Sequence, residues 1–161
     1  MLRFVSYDIV FQEIPGEVTL AINLSNCPYY CKGCHSPWLR ESVGEVLTEK
    51  SLYELAEKYG NSITCICFMG GDAAPKEVDC LANFIKTKIA THIKVGWYSG
   101  RNTFSSLCSV RNFDYVKLGP YIDRLGGLDS EITNQRFYRI DNGRMIDTTS
   151  VFFRCKVFEA Y

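Results

Sequence analysis

Between Glu17 and Gly119 the chain alternates segments with strand-like and helix-like patterning, and that alternation limits the folds open to it. The stretch EVTLAINL sets Val18, Leu20, Ile22 and Leu24 against Thr19, Ala21 and Asn23, the period of a strand, and runs directly into a cysteine-rich loop. Thr48 is placed to cap a helix with apolar positions Leu52, Leu55, Ala56 and Tyr59, and Gly60 stops it. The segment SITCICFM, Ser62 to Met69, is β-branched and bulky and ends at Gly70-Gly71-Asp72. Pro75 opens a second helix with a stripe of Val78, Leu81, Ala82, Ile85 and Ile89. A strand from Ile93 to Ser99, a helical turn near Thr103 to Cys108 and a strand from Tyr115 to Gly119 complete the series. Strands separated by helices imply parallel pairing through right-handed crossovers. Beyond Pro120 the pattern changes: LGGLDSEITNQ is polar, and Asn142-Gly143 sits between alternating segments, a strong hairpin signal. With 161 residues and neither repeats nor linkers, the chain reads as a single domain, 1–161, able to bury its own core.

Three loops follow C-terminal strand ends: the cysteine loop, Gly70-Gly71-Asp72 and Tyr98-Ser99-Gly100. In parallel α/β folds ligands bind at that edge, so three separated segments can form one site. The loop NCPYYCKGCHSPWL, Asn26 to Leu39, carries Cys27, Cys31 and Cys34 with His35 directly behind. Eighteen basic and eighteen acidic residues balance to zero, which gives no basis for nucleic acid or an anionic membrane as a partner. Asp8 and Glu13 interrupt the apolar N-terminal part, unlike a signal peptide, and no apolar run is long enough to span a bilayer. The chain therefore reads as cytoplasmic, with its eight cysteines reduced. Cys65, Cys67, Cys80, Cys108 and Cys155 are scattered and read as packing residues, the clustered three as metal-binding.

Several occupants suit those thiols. Cys31-Lys32-Gly33-Cys34-His35 matches the CxxCH pattern of covalent haem attachment, but such attachment belongs to exported proteins and would leave Cys27 without a role. Structural zinc could take Cys27, Cys31, Cys34 and His35, although adjacent Cys34 and His35 are awkward as tetrahedral ligands. A four-iron cluster held by three thiolates leaves one iron open for chemistry. Crowded thiols with no cofactor at all would be prone to oxidation.

The CxxxCxxC spacing after the first strand of an α/β chain resembles the signature of the radical S-adenosylmethionine enzymes. Gly70-Gly71-Asp72 is similar to their Gly-Gly-Glu-type motif, with aspartate in place of glutamate. More closely, the chain resembles the family of activating proteins of the anaerobic ribonucleoside-triphosphate reductase. Gly33 before the third cysteine, CHSPWL, YSG, VKLGPYID and TNQRFY carry that likeness over nearly the whole chain.

The resemblance implies that Cys27, Cys31 and Cys34 ligate a [4Fe-4S] cluster. It implies further that Gly33, Cys34 and His35 lie along S-adenosylmethionine, that Gly70 and Gly71 admit its amino group, and that Asp72, Tyr98 and Ser99 adjoin it. Reductive cleavage would yield a 5′-deoxyadenosyl radical that takes hydrogen from a glycine of the partner reductase, leaving a glycyl radical. A one-electron donor such as a flavodoxin or ferredoxin is implied, and no side-chain acid or base. A complete eight-stranded barrel takes about 250 residues, so the expected fold is α/β: a partial, laterally open (β/α) barrel of mainly parallel strands with a C-terminal hairpin-like segment. Leu125 to Arg136 would then cover or dock its opening. The alternatives are an activase of another glycyl-radical enzyme, of the formate-lyase type, or a non-catalytic zinc- or haem-binding interaction module.

Overall fold

The computed structural model describes residues 1–154. Its centre is one eight-stranded sheet: β1 (Arg3–Val10), β2 (Thr19–Leu24), β3 (Glu45–Val46), β4 (Cys65–Met69), β5 (Lys94–Tyr98), β6 (Tyr115–Leu118), β7 (Arg136–Asp141) and β8 (Arg144–Asp147), in the order β3-β1-β2-β4-β5-β6-β7-β8. Three helices accompany it: α1 (Glu49–Tyr59), α2 (Pro75–Phe84) and the short α3 (Val151–Arg154).

This topology overturns the expected partial (β/α) barrel. Pairing is parallel from β2 through β4 and β5 to β6, but the other four of the seven pairings, β1 with β2, β1 with β3, β6 with β7 and β7 with β8, are antiparallel. The sheet is mixed, and mostly antiparallel. Only two of the three parallel crossovers carry a helix, α1 and α2. The third, from β5 to β6, has no helical turn over 103–108; there Cys108 N–H meets Ser105 O at 3.1 Å, and a single 3₁₀ turn follows at Val110–Asn112.

The elements form for local reasons. Thr48 and Ser51 make a reciprocal capping box at the start of α1, and Gly60 caps its end. Pro75 stands in the first turn of α2, where its missing N–H costs nothing. That helix continues into a π-helical turn at Ile85–Ile89. Asn142 and Gly143, both at positive φ, join β7 to β8.

One face of the sheet, bearing Leu20, Ile22, Leu24, Ile66, Phe68, Val95, Trp97, Val116 and Leu118, forms the main core with Leu52, Leu55 and Ala56 of α1 and Val78, Leu81 and Ala82 of α2. Trp97 is fully buried, stacks on Phe113 at 5.5 Å, and donates its indole N–H to Gly70 O at 2.8 Å. The opposite face carries Cys65 and Cys67, packed in a second cluster with Ile14 and Phe137. Both thiols are buried, as packing residues should be, and burial pushes their pKa values up. Cys108 is half-buried, whereas Cys80 is exposed, contrary to the packing role expected of it; Cys155 lies outside the described residues. Among the described residues no helix is long and apolar enough to cross a membrane.

At the N-terminal ends of the parallel strands one carboxylate joins four segments. Glu17 is 7% exposed and accepts from Lys94 Nζ, from Thr64 Oγ1 at 2.6 Å and from Tyr115 OH at 2.7 Å. Burial alone would raise its pKa, but these hydrogen bonds outweigh it and hold the group below the ordinary carboxylate value. Such a group contributes stability above its unfolded pKa of about 4.3 and loses it as pH falls through the lower folded value. Glu17→Gln should therefore cost about 2 kcal/mol at pH 7. Urea midpoints of the two proteins should differ most above about pH 5 and converge as pH falls through the lowered folded pKa of Glu17.

Candidate functional site

The cysteine loop leaves β2 through Asn26, whose φ of 61° turns the chain sharply. It then closes on itself: Asn26 N–H meets Glu41 O at 3.0 Å and Cys27 N–H meets Leu39 O at 2.9 Å. Within it, Cys34 N–H reaches Cys31 O at 3.2 Å across a four-residue turn, with Gly33 at φ +76° in its third position. Gly33 is needed twice, because a Cβ there would also lie 3.1 Å from Asp123 Oδ1. Arg40 Nη2 donates to Cys31 O at 3.0 Å, and Ser36 N–H points at Cys34 Sγ at 3.4 Å.

Cys27, Cys31 and Cys34 are free and half-buried. Burial raises the pKa of Cys27; a hydrogen bond with the Tyr29 backbone counters this, while Asp72, Cys31 and Cys34 add to the rise. The three sulfurs thus share one electrostatic neighbourhood. Among the described residues no three Cys, His, Asp or Glu side chains converge as ligands of a metal ion. The fit to a thiolate-bound centre therefore rests on donor type, the absence of any disulfide at these three cysteines, and the N–H aimed at Cys34 Sγ. On those grounds the residues suit an iron–sulfur cluster.

The other expected contact residues divide into two groups. Gly33 and His35 are exposed on the loop, and the His35 ring lies 5.5 Å from that of Tyr121. Beside them a cleft of about 390 Å³ is lined by Lys32, Tyr121, Ile122, Asp123 and Arg124. The remaining residues point into the protein. Gly70 donates to Tyr98 O at 2.9 Å and its carbonyl accepts from Trp97. A Cβ on Gly71, at φ +89°, would stand 2.6 Å from Val78 Cγ2 and 2.9 Å from Leu24 Cδ1, so helix-to-sheet packing demands this glycine. Tyr98 donates to Glu13 O, rests edge-on against Phe137, and has its phenol pKa pushed well up by burial.

Asp72 and Ser99 meet each other. Asp72 is 5% exposed; its Oδ1 accepts from Ser99 Oγ at 2.5 Å and its Oδ2 from Gly100 N–H at 2.9 Å, with Arg101 Nε 3.9 Å from Oδ1. Gly100 in turn abuts Tyr29 of the cysteine loop so closely that a Cβ would sit 2.7 Å from the ring. The structure thus brings the loops after β2, β4 and β5 to one edge, with Asp72 as the brace between two of them.

Sequence reading missed Lys117. It lies on β6, on the sheet face opposite the helices, and donates to Gly119 O at 2.9 Å and Ser99 O at 3.2 Å. Burial lowers its pKa to about 8, against the pull of Asp72, Cys31 and Cys27. The signal was present, since a lysine between Val116 and Leu118 in a strand must face away from the core those two enter. Arg40, Arg101 and Tyr121 carried no periodic signal. In the loop 125–136, Asn134 Nδ2 donates to Pro120 O at 3.0 Å, Gln135 Nε2 to Gly119 O at 3.4 Å and Thr133 Oγ1 to Gly126 O at 3.2 Å. Asn134 and Gln135 fasten the loop to the turn after β6, and Thr133 closes the loop on itself.

In comparisons with known proteins, the chain matches no family model and no curated protein.

Asp72→Ala would strip the acceptor from a buried hydroxyl and an amide. It should lower the unfolding free energy of the metal-free protein by about 3 kcal/mol, read from the urea midpoint. A loss seen only once a cofactor is added would instead make Asp72 a ligand contact. Gly71→Ala, forced into Val78 and Leu24, should cost about 2 kcal/mol or more in the same assay.

Proposed function

We propose that this protein is a radical S-adenosylmethionine activase that installs a glycyl radical on the anaerobic ribonucleoside-triphosphate reductase. The observation that carries the reading is the cysteine loop: three free thiols in one self-closed loop, at the C-terminal end of a parallel strand and against the loop after β5. When bound, the cluster and S-adenosylmethionine supply one-electron cleavage of the sulfonium and a 5′-deoxyadenosyl radical able to take hydrogen from a glycine Cα.

The chain's own residues bind and orient. Cys27, Cys31 and Cys34 are the thiolate donors. Arg40 fixes the Cys31 carbonyl, and the Gly33 turn sets Cys34 beside Cys31. Asp72, through Ser99 and Gly100, keeps the neighbouring loop in register with Tyr29. Tyr30 and Trp38 flank the thiols at 79% and 60% exposure, and aromatic residues of this kind anchor protein interfaces, which supports a macromolecular substrate. Free thiols suit a reducing cytoplasm, where a flavodoxin or ferredoxin would be the electron donor.

Anaerobic reconstitution should give about four iron and four sulfide per chain. Mixed with S-adenosylmethionine, a strong reductant and the reductase, the protein should produce 5′-deoxyadenosine and a glycine-centred spin signal, and Cys31→Ala should bring both to background. One zinc per chain without sulfide would replace this reading with a binding module. A signal on a formate lyase but not on the reductase would change the partner.

A further inference from the structure

Lys117 is a half-buried cation held by backbone carbonyls and not by a carboxylate. Its nitrogen is satisfied by two carbonyls, Ser99 O and Gly119 O, and sits 5.7 Å from the Tyr98 ring centroid. No ion pair among the described residues includes it. Of the neighbouring cations, Arg101 lies against Asp72 at 3.9 Å, whereas the Arg40 guanidinium also lacks an ion pair among the described residues and lies over Tyr30, 5.0 Å from the ring centroid. Placing an unpaired ammonium in protein surroundings costs free energy unless negative charge faces it. The Ser99 carbonyl that holds Lys117 belongs to the residue before Gly100, which touches Tyr29 between Cys27 and Cys31. Among the groups whose negative charge bears on this ammonium are Asp72, already spanned by Ser99, Gly100 and Arg101, and the thiolates of Cys31 and Cys27.

We propose that Lys117 is a positioning residue that holds a fixed positive charge beside the cysteine loop and so favours negative charge on the centre that Cys27, Cys31 and Cys34 bind. The inference rests on the iron–sulfur reading above. An electron entering that centre adds one negative charge; no bond forms or breaks and no proton moves. The Lys117 charge stabilises the product of that step more than its reactant.

The test compares wild type, Lys117→Met, Lys117→Gln and Lys117→Arg, each reconstituted anaerobically and equilibrated with a viologen radical cation, which gives up one electron. In the Met and Gln variants the equilibrium constant for electron uptake should fall about tenfold, a potential about 59 mV more negative for one electron. The Arg variant should stay within about twofold of wild type. The Gln variant carries the comparison if the Met variant does not fold. Unchanged potentials at wild-type iron content overturn the inference and leave the iron–sulfur reading standing. Weaker S-adenosylmethionine binding with an unmoved ligand-free potential also overturns it, making Lys117 a ligand contact. Failure of the wild type to take up iron and sulfide overturns both.

Discussion

Asp72 is withdrawn from water almost completely, and what compensates for its desolvation is a set of donors from one short segment: the Ser99 hydroxyl, the Gly100 amide and, farther off, Arg101. Those donors belong to the loop after β5, whereas Asp72 belongs to the loop after β4. The bond therefore fixes one loop against the other. Because Gly100 packs on Tyr29, the same bond locates the cysteine loop as well. Glu17 plays the matching part at the other end of the strands, where it gathers Thr64, Lys94 and Tyr115. The four parallel strands within this mixed sheet have few places for charge, and here two carboxylates sit one at each end of them.

Between those clamps the four parallel strands form a rigid base, and the antiparallel strands close it off on either side. This is where reading the sequence failed. Helical and strand periods were legible from Thr48 to Leu118 because each element buries one face: Leu52, Leu55 and Ala56 on α1, Val78, Leu81 and Ala82 on α2. The N-terminal strand was not legible. Its pairing with β2 skips a residue between Phe4 and Ser6, and the bulge moves Phe4, Tyr7 and Ile9 onto the core side at uneven spacing. With β1 unseen, alternation of strands and helices pointed to repeated parallel units. The β5 to β6 connection shows why that extrapolation breaks down, since it is stabilised by turns and by Trp97, Phe104 and Phe113 packing on one another, without a helix.

In the candidate site, legibility followed chemistry more than position. Thiol spacing announced itself, because three cysteines in eight residues have few other uses. Residues that hold a loop were less readable as such: Asp72, Ser99 and Gly71 stood out in the sequence as ligand contacts, and the structure shows that they also have partners within the fold. A motif residue at a strand end can satisfy a neighbouring loop as readily as a ligand, and spacing in the sequence does not show the loop contact.

The distribution of charge along this edge follows from the same economy. Asp72 is matched by Ser99, Gly100 and Arg101, and Glu17 by Lys94. Lys117 and the half-buried thiols remain, one set positive and the other ionisable, on adjoining segments. Burial raises the cost of ionising Cys27 and lowers the pKa of Lys117, so each alone is pushed toward neutrality. Together they oppose that push. The state in which the lysine is protonated and the sulfurs are anionic is the one that a soft metal centre would require, and under the proposed iron–sulfur reading it gives a reason for a lysine at this point of β6.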